Sequence, residues 1–386
     1  MRRLLLLVGS IVFLDTMFFA ALTPLLPDYA EQFDLSKAGA GVLAAAYPLG
    51  VLVGGIPSGL AAVRLGLKPT VVGGLLLMAA TTFAFGFADS VWVLDAARFA
   101  QGIASSCAWA AGLAWLLASA PGERRGELIG TALGVAIVGA LFGPVLGGVA
   151  STVGTEAAFS AVGLAAIGLA GWAFVTDAPP RREGQSLRLL FQALRNVRIR
   201  AAIWLVTLPA LMFGTLSVLA PLRLSQLGFG ALAIGAVFLV SAGFEAVLSP
   251  LVGRLSDRRG RRLPIVIALV TSAAATAVLP WPEAGIVLAL VVVLSAMSFG
   301  TFWAPAMSLL TQTGETIGLD HAFSFALVNL AWAPGQAIGA AAGGGLARAT
   351  SDAVPYLLLC GTCVLTLVAV RLSERRVAGR AVTLPP

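Results

Sequence analysis

Twelve long apolar stretches follow one another along this chain, at 4–26, 38–60, 69–88, 91–117, 128–150, 156–176, 201–221, 231–253, 263–281, 285–310, 322–346 and 354–371. A backbone that crosses lipid has no water to bond to, so each N–H and C=O must find its partner within the segment or in a closed barrel. Stretches of about 20 residues without alternating polarity satisfy that demand as helices. With 59% of residues hydrophobic and 11% charged, a soluble domain could not hide this much apolar surface. The expected fold class is therefore an all-α polytopic membrane protein with 12 transmembrane helices.

The net charge of +7 would in a soluble chain suggest nucleic acid as a partner. Its placement excludes that reading. With the N-terminus inside, 21 Lys/Arg fall on the inner side, and only Lys37, Arg223 and Arg348 fall in outer segments. Such a bias sets orientation, so both termini are expected in the cytoplasm and the basic loops to meet anionic lipid. The first span follows Arg2 and Arg3 like a signal peptide, but it is too long, contains Asp15 and lacks a small-residue cleavage site. Cys360 and Cys363 enclose a C-x-x-C inside an apolar span, and His321 is the single histidine. Those cysteines read as packing residues, and neither a metal nor another cofactor is expected.

The polar segment 177–200 divides the chain after six spans, giving bundles at 1–176 and 201–372 and a tail at 373–386. An internal repeat supports the division. Gly59, Arg64, Gly66 and Lys68 recur at the same spacing as Gly253, Arg258, Gly260 and Arg262, each set at the inner end of the second span of its half. Glycine there permits a tight turn and close helix contact, and the basic cluster anchors at the inner leaflet.

This loop resembles the signature G-x-x-x-D-R-x-G-R-R of the major facilitator superfamily. The second copy fits throughout, with Asp257 at the acidic position; the first has Val63 there. In the family that acid helps latch the halves on the cytoplasmic side, so either the latch here relies on Asp257 or the outward-open state is held less firmly. The fifth span carries Gly130, Gly139, Gly143, Pro144, Gly147 and Gly148, which matches the family's antiporter motif G-x8-G-x3-G-P-x2-G-G. Such a helix should pack closely and bend, as a rocking surface between the halves. Arg98, Gln101 and Gly102 in the fourth span look like R-x-x-Q-G of drug–proton antiporters. Leu14-Asp15 with Pro24 and Pro27 resembles the twelve-helix drug exporters, vesicular monoamine transporters included. What the resemblance implies is two six-helix bundles that alternate access to a central cavity, as a monomer.

Three acidic residues remain inside the spans, Asp15, Asp95 and Glu245, together with Arg98. An ionised group at that depth costs about 3 kcal/mol or more, so each is expected to face a wet cavity or a partner. Asp15 lies mid-span and is the leading candidate for a carboxylate that a proton and a cationic cargo contest. Arg98 cannot practically discard its charge, so it needs a lasting partner, Asp95 or Asp15. Glu245 is a candidate second proton or cation site. Where the vesicular transporters place further acids, this chain has Ser217, Gly300 and Asn329, so their monoamine specificity does not carry over.

Candidate cargo contacts are Asp15, Phe18, Phe19, Tyr47, Gln101, Trp109, Phe213, Glu245, Trp303, Asn329, Trp332 and Gln336. Aromatic walls suit an amphipathic cation through cation–π contact. No phosphate-binding G-x-x-x-x-G-K-[ST] loop is present, which argues against an ATP-driven pump. The expectation is a non-enzymatic, proton-coupled exporter of small organic molecules in an inner membrane. A transporter of a neutral nutrient such as a sugar, or a non-transporting sensor or scaffold, stands as the alternative.

Overall fold

The apolar spans do fold as helices. The computed structural model describes residues 2–120, 125–179, 189, 192–318 and 321–382. Among them are α1 (Arg2–Gln32), α2 (Lys37–Arg64), α3 (Leu67–Gly86), α4 (Val91–Ala118), α5 (Arg125–Val153), α6 (Thr155–Val175) and α7 (Val197–Gln226). They continue with α8 (Ala231–Arg259), α9 (Arg262–Val278), α10 (Gly285–Gly300), α11 (Trp303–Thr316), α12 (His321–Ala349) and α13 (Ala353–Val382). No strand occurs among the described residues. Nine helical stretches there are long and apolar enough to cross a membrane. The chain is a multi-pass membrane protein. Residues 180–188, 190 and 191 of the linker and the last four residues of the tail lie outside the described residues, as does the side chain of Asp257.

The expected single span 285–310 is two helices. It breaks at Thr301 and Phe302, between α10 and α11. Pro305 accounts for the break, because its ring would meet the carbonyl of Thr301 and it offers no N–H to continue the ladder. At the other end, the expected tail continues the helix of α13 to Val382.

Helix pairing repeats between the halves. α1 packs on α5, α2 on α4 and α3 on α6; likewise α7 packs on α12, α8 on α10 and α9 on α13. Two further seams, α2 with α12 and α5 with α8, join the halves. The largest apolar cluster runs through both, from Leu14 and Phe18 on α1 to Leu216 on α7 and Leu327 on α12.

Glycine sets these pairings. A Cβ at Gly139 would lie 2.5 Å from the carbonyl oxygen of Phe13, and one at Gly143 2.6 Å from that of Met17. Gly147 meets Ala21 in the same way. In α12, Gly335 and Gly339 meet the carbonyls of Thr207 and Leu211, and Gly343 the hydroxyl of Thr215. Thus the stripe expected to rock between the halves instead fastens α5 to α1 within one half. The residues of that motif which reach the other half are Pro144, whose carbonyl approaches Gly235, and Gly148, which meets Leu232. Gly130 meets nothing within 4 Å.

The two ends of the molecule differ. At one end Gly41 lies against the carbonyl of Ala340, Gly344 against that of Lys37, and the Lys37 ammonium pairs with Asp352 at 2.5 Å. This end is closed. At the other, Gly59 and Gly253 have no atom within 4 Å of a Cβ position, and Val63 and Leu65 are exposed. The repeated loop sits at this other end, and its glycines make no close helix contact there. Its turn requirement is real: Gly66 and Gly260 have φ of 105° and 78°, a region L side chains rarely enter.

Candidate functional site

One face of α4 is polar. Arg98, Gln101 and Ser105 stand at spacings of three and four, with Trp109 one turn further; Arg98, Ser105 and Trp109 reach α1, and Gln101 reaches α3. Asp15 on α1 lies against this face, only 3% exposed. Its carboxylate accepts three hydrogen bonds: from Tyr47 Oη at 2.7 Å to Oδ1, and from Ser105 Oγ at 2.9 Å and Trp109 Nε1 at 2.7 Å to Oδ2. Ser105 escaped the sequence reading, although its helical spacing from Arg98 and Trp109 was a usable signal.

Arg98 is also buried, yet among the described residues no carboxylate lies within ion-pairing distance of it. The expected ion pair with Asp95 or Asp15 is not formed. A cage of rings takes its place: the guanidinium carbon lies 4.9 Å from the ring centre of Tyr47, 5.6 Å from Phe18, 5.8 Å from Phe85 and 6.0 Å from Phe19. Desolvated cation–π contacts are worth about 2 kcal/mol at best each, so four can offset much of the burial cost. Nη1 donates to Gln101 Oε1 and Nη2 to the carbonyl of Phe19, while Nε has no acceptor. Gln101 in turn donates to the carbonyl of Thr81 on α3. Asp95 Oδ1 is buried without a partner.

A cavity of about 260 Å³ lies between the halves. Arg98, Phe19, Thr23 and Pro144 border it from the first six helices; Phe213, Ser217, Ser241, Glu245, Trp303, Trp332 and Gln336 border it from the rest. Of the expected cargo contacts, Phe19, Phe213, Glu245, Trp303, Trp332 and Gln336 line this cavity. Asp15, Phe18, Tyr47, Gln101, Trp109 and Asn329 do not; the first five are built into the wall behind Arg98 and Phe19. Asp15 is thus next to the cavity and separated from it by one layer of side chains.

Glu245 is set up differently. It borders the cavity beside Trp303. Its side chain fills the space over Gly300, where a Cβ would come within 2.7 Å of Cγ and 2.9 Å of the carboxyl carbon. Phe213 and Trp303 stack at 14° and 6.0 Å beside it. Cys363 packs on Met212, and no group of three His, Cys, Asp or Glu suited to a metal occurs among the described residues.

The family model described as Major Facilitator Superfamily matches residues 8–319. The MFS-type transporter YcaD of Escherichia coli O7:K1 is 26% identical over 264 residues, 68% of each chain. The MFS-type transporter ppzB of Metarhizium rileyi is 33% identical over 107 residues, 26% of this chain and 22% of that one. Among solved structures, a bacterial homolog of the human lysosomal transporter Spinster, inward-facing and unoccupied, superposes with a TM-score of 0.74 at 18% identity, covering 95% of this chain and 93% of its own. A D-xylose–proton symporter gives 0.74 at 15% identity, with 95% and 96% covered. At those identities the two structures speak for the fold alone.

Proposed function

The chain belongs to the major facilitator superfamily, and on that premise we propose that it is an inner-membrane secondary transporter exchanging protons for small amphipathic, cationic organic molecules. The observation that carries this reading is the buried Asp15 carboxylate, held by three donors one layer behind a cavity that Arg98 and Glu245 both border. While Asp15 is ionised it balances Arg98. When it is protonated, Arg98 becomes an uncompensated cation at the cavity wall and repels a cationic cargo. A proton on Glu245 removes the anion that would hold that cargo. Both protonations therefore expel it, which gives exchange by a simple charge balance. Glu245, seated over Gly300, would stand in for the acid that the vesicular transporters place near that position.

The two six-helix bundles would rock about the α2–α12 and α5–α8 seams, opening the cavity to each side in turn. By the basic-residue bias the end with the repeated loop faces the cytoplasm and the Lys37–Asp352 end faces out. The test is a reconstituted vesicle loaded with a pH dye. Tetraphenylphosphonium added on the cytoplasmic side should release protons, and Asp15→Asn should reduce that release by about tenfold or more at unchanged protein content. Full release from Asp15→Asn would end the reading. Thr23, Ser217, Ser241 and Gln336 on the cavity favour one second reading, a neutral polyhydroxyl nutrient. Proton movement on addition of xylose, and none with the phosphonium, would select it.

A further inference from the structure

Tyr47 touches both the proton site and the seam between the halves. Its hydroxyl donates to Asp15 Oδ1, and its ring lies under Arg98. The same ring packs on Phe19 at 4.9 Å between centres, and Phe19 packs edge-on against Trp332 of α12 at 5.5 Å. Tyr47, Val51 and Ala333, with Phe19, Leu52 and Trp332 around them, form an apolar cluster separate from the main core. That cluster sits on the α2–α12 seam, where α2 also meets α12 through Gly41 and Ala340.

We propose that Tyr47 is the coupling residue of this transporter: its hydroxyl reads whether Asp15 carries a proton, and its ring passes that state to the α2–α12 seam. The inference rests on Asp15 being the proton site. Trp109 offers only an N–H and Oδ2 already accepts from it and from Ser105, so an added proton goes to Oδ1. There the carboxyl O–H donates to Tyr47 Oη, and the phenolic O–H turns to Ser105 Oγ, which bonds the same carboxylate. No other group gains or loses a proton. The charge-assisted bond becomes a neutral one of about half the strength. The ring is held less tightly to Asp15 just as Arg98, stacked on it, loses its counter-charge. The charged and titratable groups facing Asp15 are Tyr47 from α2 and Arg98 from α4, with Ser105 and Trp109 as donors. Those facing Tyr47 are Asp15 from α1, Arg98 from α4 and the Ser105 hydroxyl. Among the described residues α5, α6, α7, α8 and α12 send neither of them a further charge.

The test needs no cargo. Spin labels at Gln32→Cys and Ser351→Cys, on a background with Cys107, Cys360 and Cys363 changed to Ala, report the width of the closed end in nanodiscs. The parent should shift its distance distribution between mildly alkaline and mildly acidic buffer. Tyr47→Phe, which keeps the ring and removes only the hydroxyl, should lose most of that shift while keeping the alkaline distribution. Tyr47→Phe added to Asp15→Asn should change nothing further, since both cut one link. A parent-like shift in Tyr47→Phe, or additive effects in the double variant, would overturn the inference. A parent with no shift would instead remove the proton-exchange reading beneath it. Ser105→Ala gives a second measure should Tyr47→Phe insert poorly, and it should weaken the shift about threefold by removing the alternative acceptor.

Discussion

In the first half a glycine stripe at 139, 143 and 147 lays α5 on the carbonyls of α1; in the second half, glycines 335, 339 and 343 lay α12 on α7 in the same manner. The partners keep step as well, since Phe13, Met17 and Ala21 correspond to Thr207, Leu211 and Thr215. Carried along that register, Asp15 falls on Pro209, Tyr47 on Ser241 and Glu245 on Val51. The backbone plan is duplicated and the chemistry is not. Close approach asks only that Cβ be absent, a demand two diverged copies can both meet. A buried carboxylate asks for donors on neighbouring helices, and those were assembled around Asp15 alone.

The strongest way to break the equivalence is to fill a stripe. Gly143→Leu and Gly339→Leu each force a side chain into backbone of the partner helix, where no flexible group can yield. Overpacking of this kind costs about 3 kcal/mol or more. Both variants should lose their monodisperse peak in detergent chromatography and melt well below the parent. Gly130→Leu, with open space around it, should behave as the parent. If one stripe tolerates leucine and the other does not, the two halves are not built alike.

The comparison sharpens at the carboxylates. Asp15→Ala takes the acceptor from Tyr47 and Ser105, two buried donors that cost about 1 kcal/mol or more apiece when unpaired, and from the half-buried Trp109. Glu245→Ala removes a carboxylate that borders a cavity rather than one caged by buried donors. Thermal unfolding in detergent should therefore drop by several degrees more for Asp15→Ala than for Glu245→Ala. Equal losses would mean that the carboxylate cage contributes nothing to stability.

The helices were legible in the sequence because lipid leaves a polar backbone so few options, and the repeated loop was legible because Gly66 and Gly260 share a turn. The matching stripe in α12 was written there too, as Gly335, Gly339 and Gly343, but no motif drew attention to it. Arg98 was found by its cost, whereas its partners were not, because four rings from three helices solvate it and none adjoins it in sequence. For the same reason Tyr47 read as a cavity residue. Only the crossing of α1, α2 and α4 turns it inward onto Asp15.

The smallest difference lies at the seams. α2–α12 and α5–α8 correspond, with Gly41 on Ala340 matching Gly235 on Pro144, and Gly344 on Lys37 matching Gly148 on Leu232. Only the first seam carries a charge pair, Lys37 with Asp352, their side chains 29% and 21% exposed. Partial exposure and salt screening hold such a pair to about 1 kcal/mol at most. That is still a roughly fivefold bias in an equilibrium between closed and open ends. Lys37→Ala, Asp352→Ala and the double variant should each widen the closed-end distance distribution to a similar extent, because each removes the same single interaction. Lys37→Asp with Asp352→Lys should recover part of it, and raising salt should bring the parent toward the variants. Because Ala231 occupies the place of Lys37 in the other seam, Ala231→Lys should leave the distribution unchanged: it adds a charge there without a partner. A larger effect from either single variant than from the double would place the bias in the individual side chains' packing rather than in their pairing.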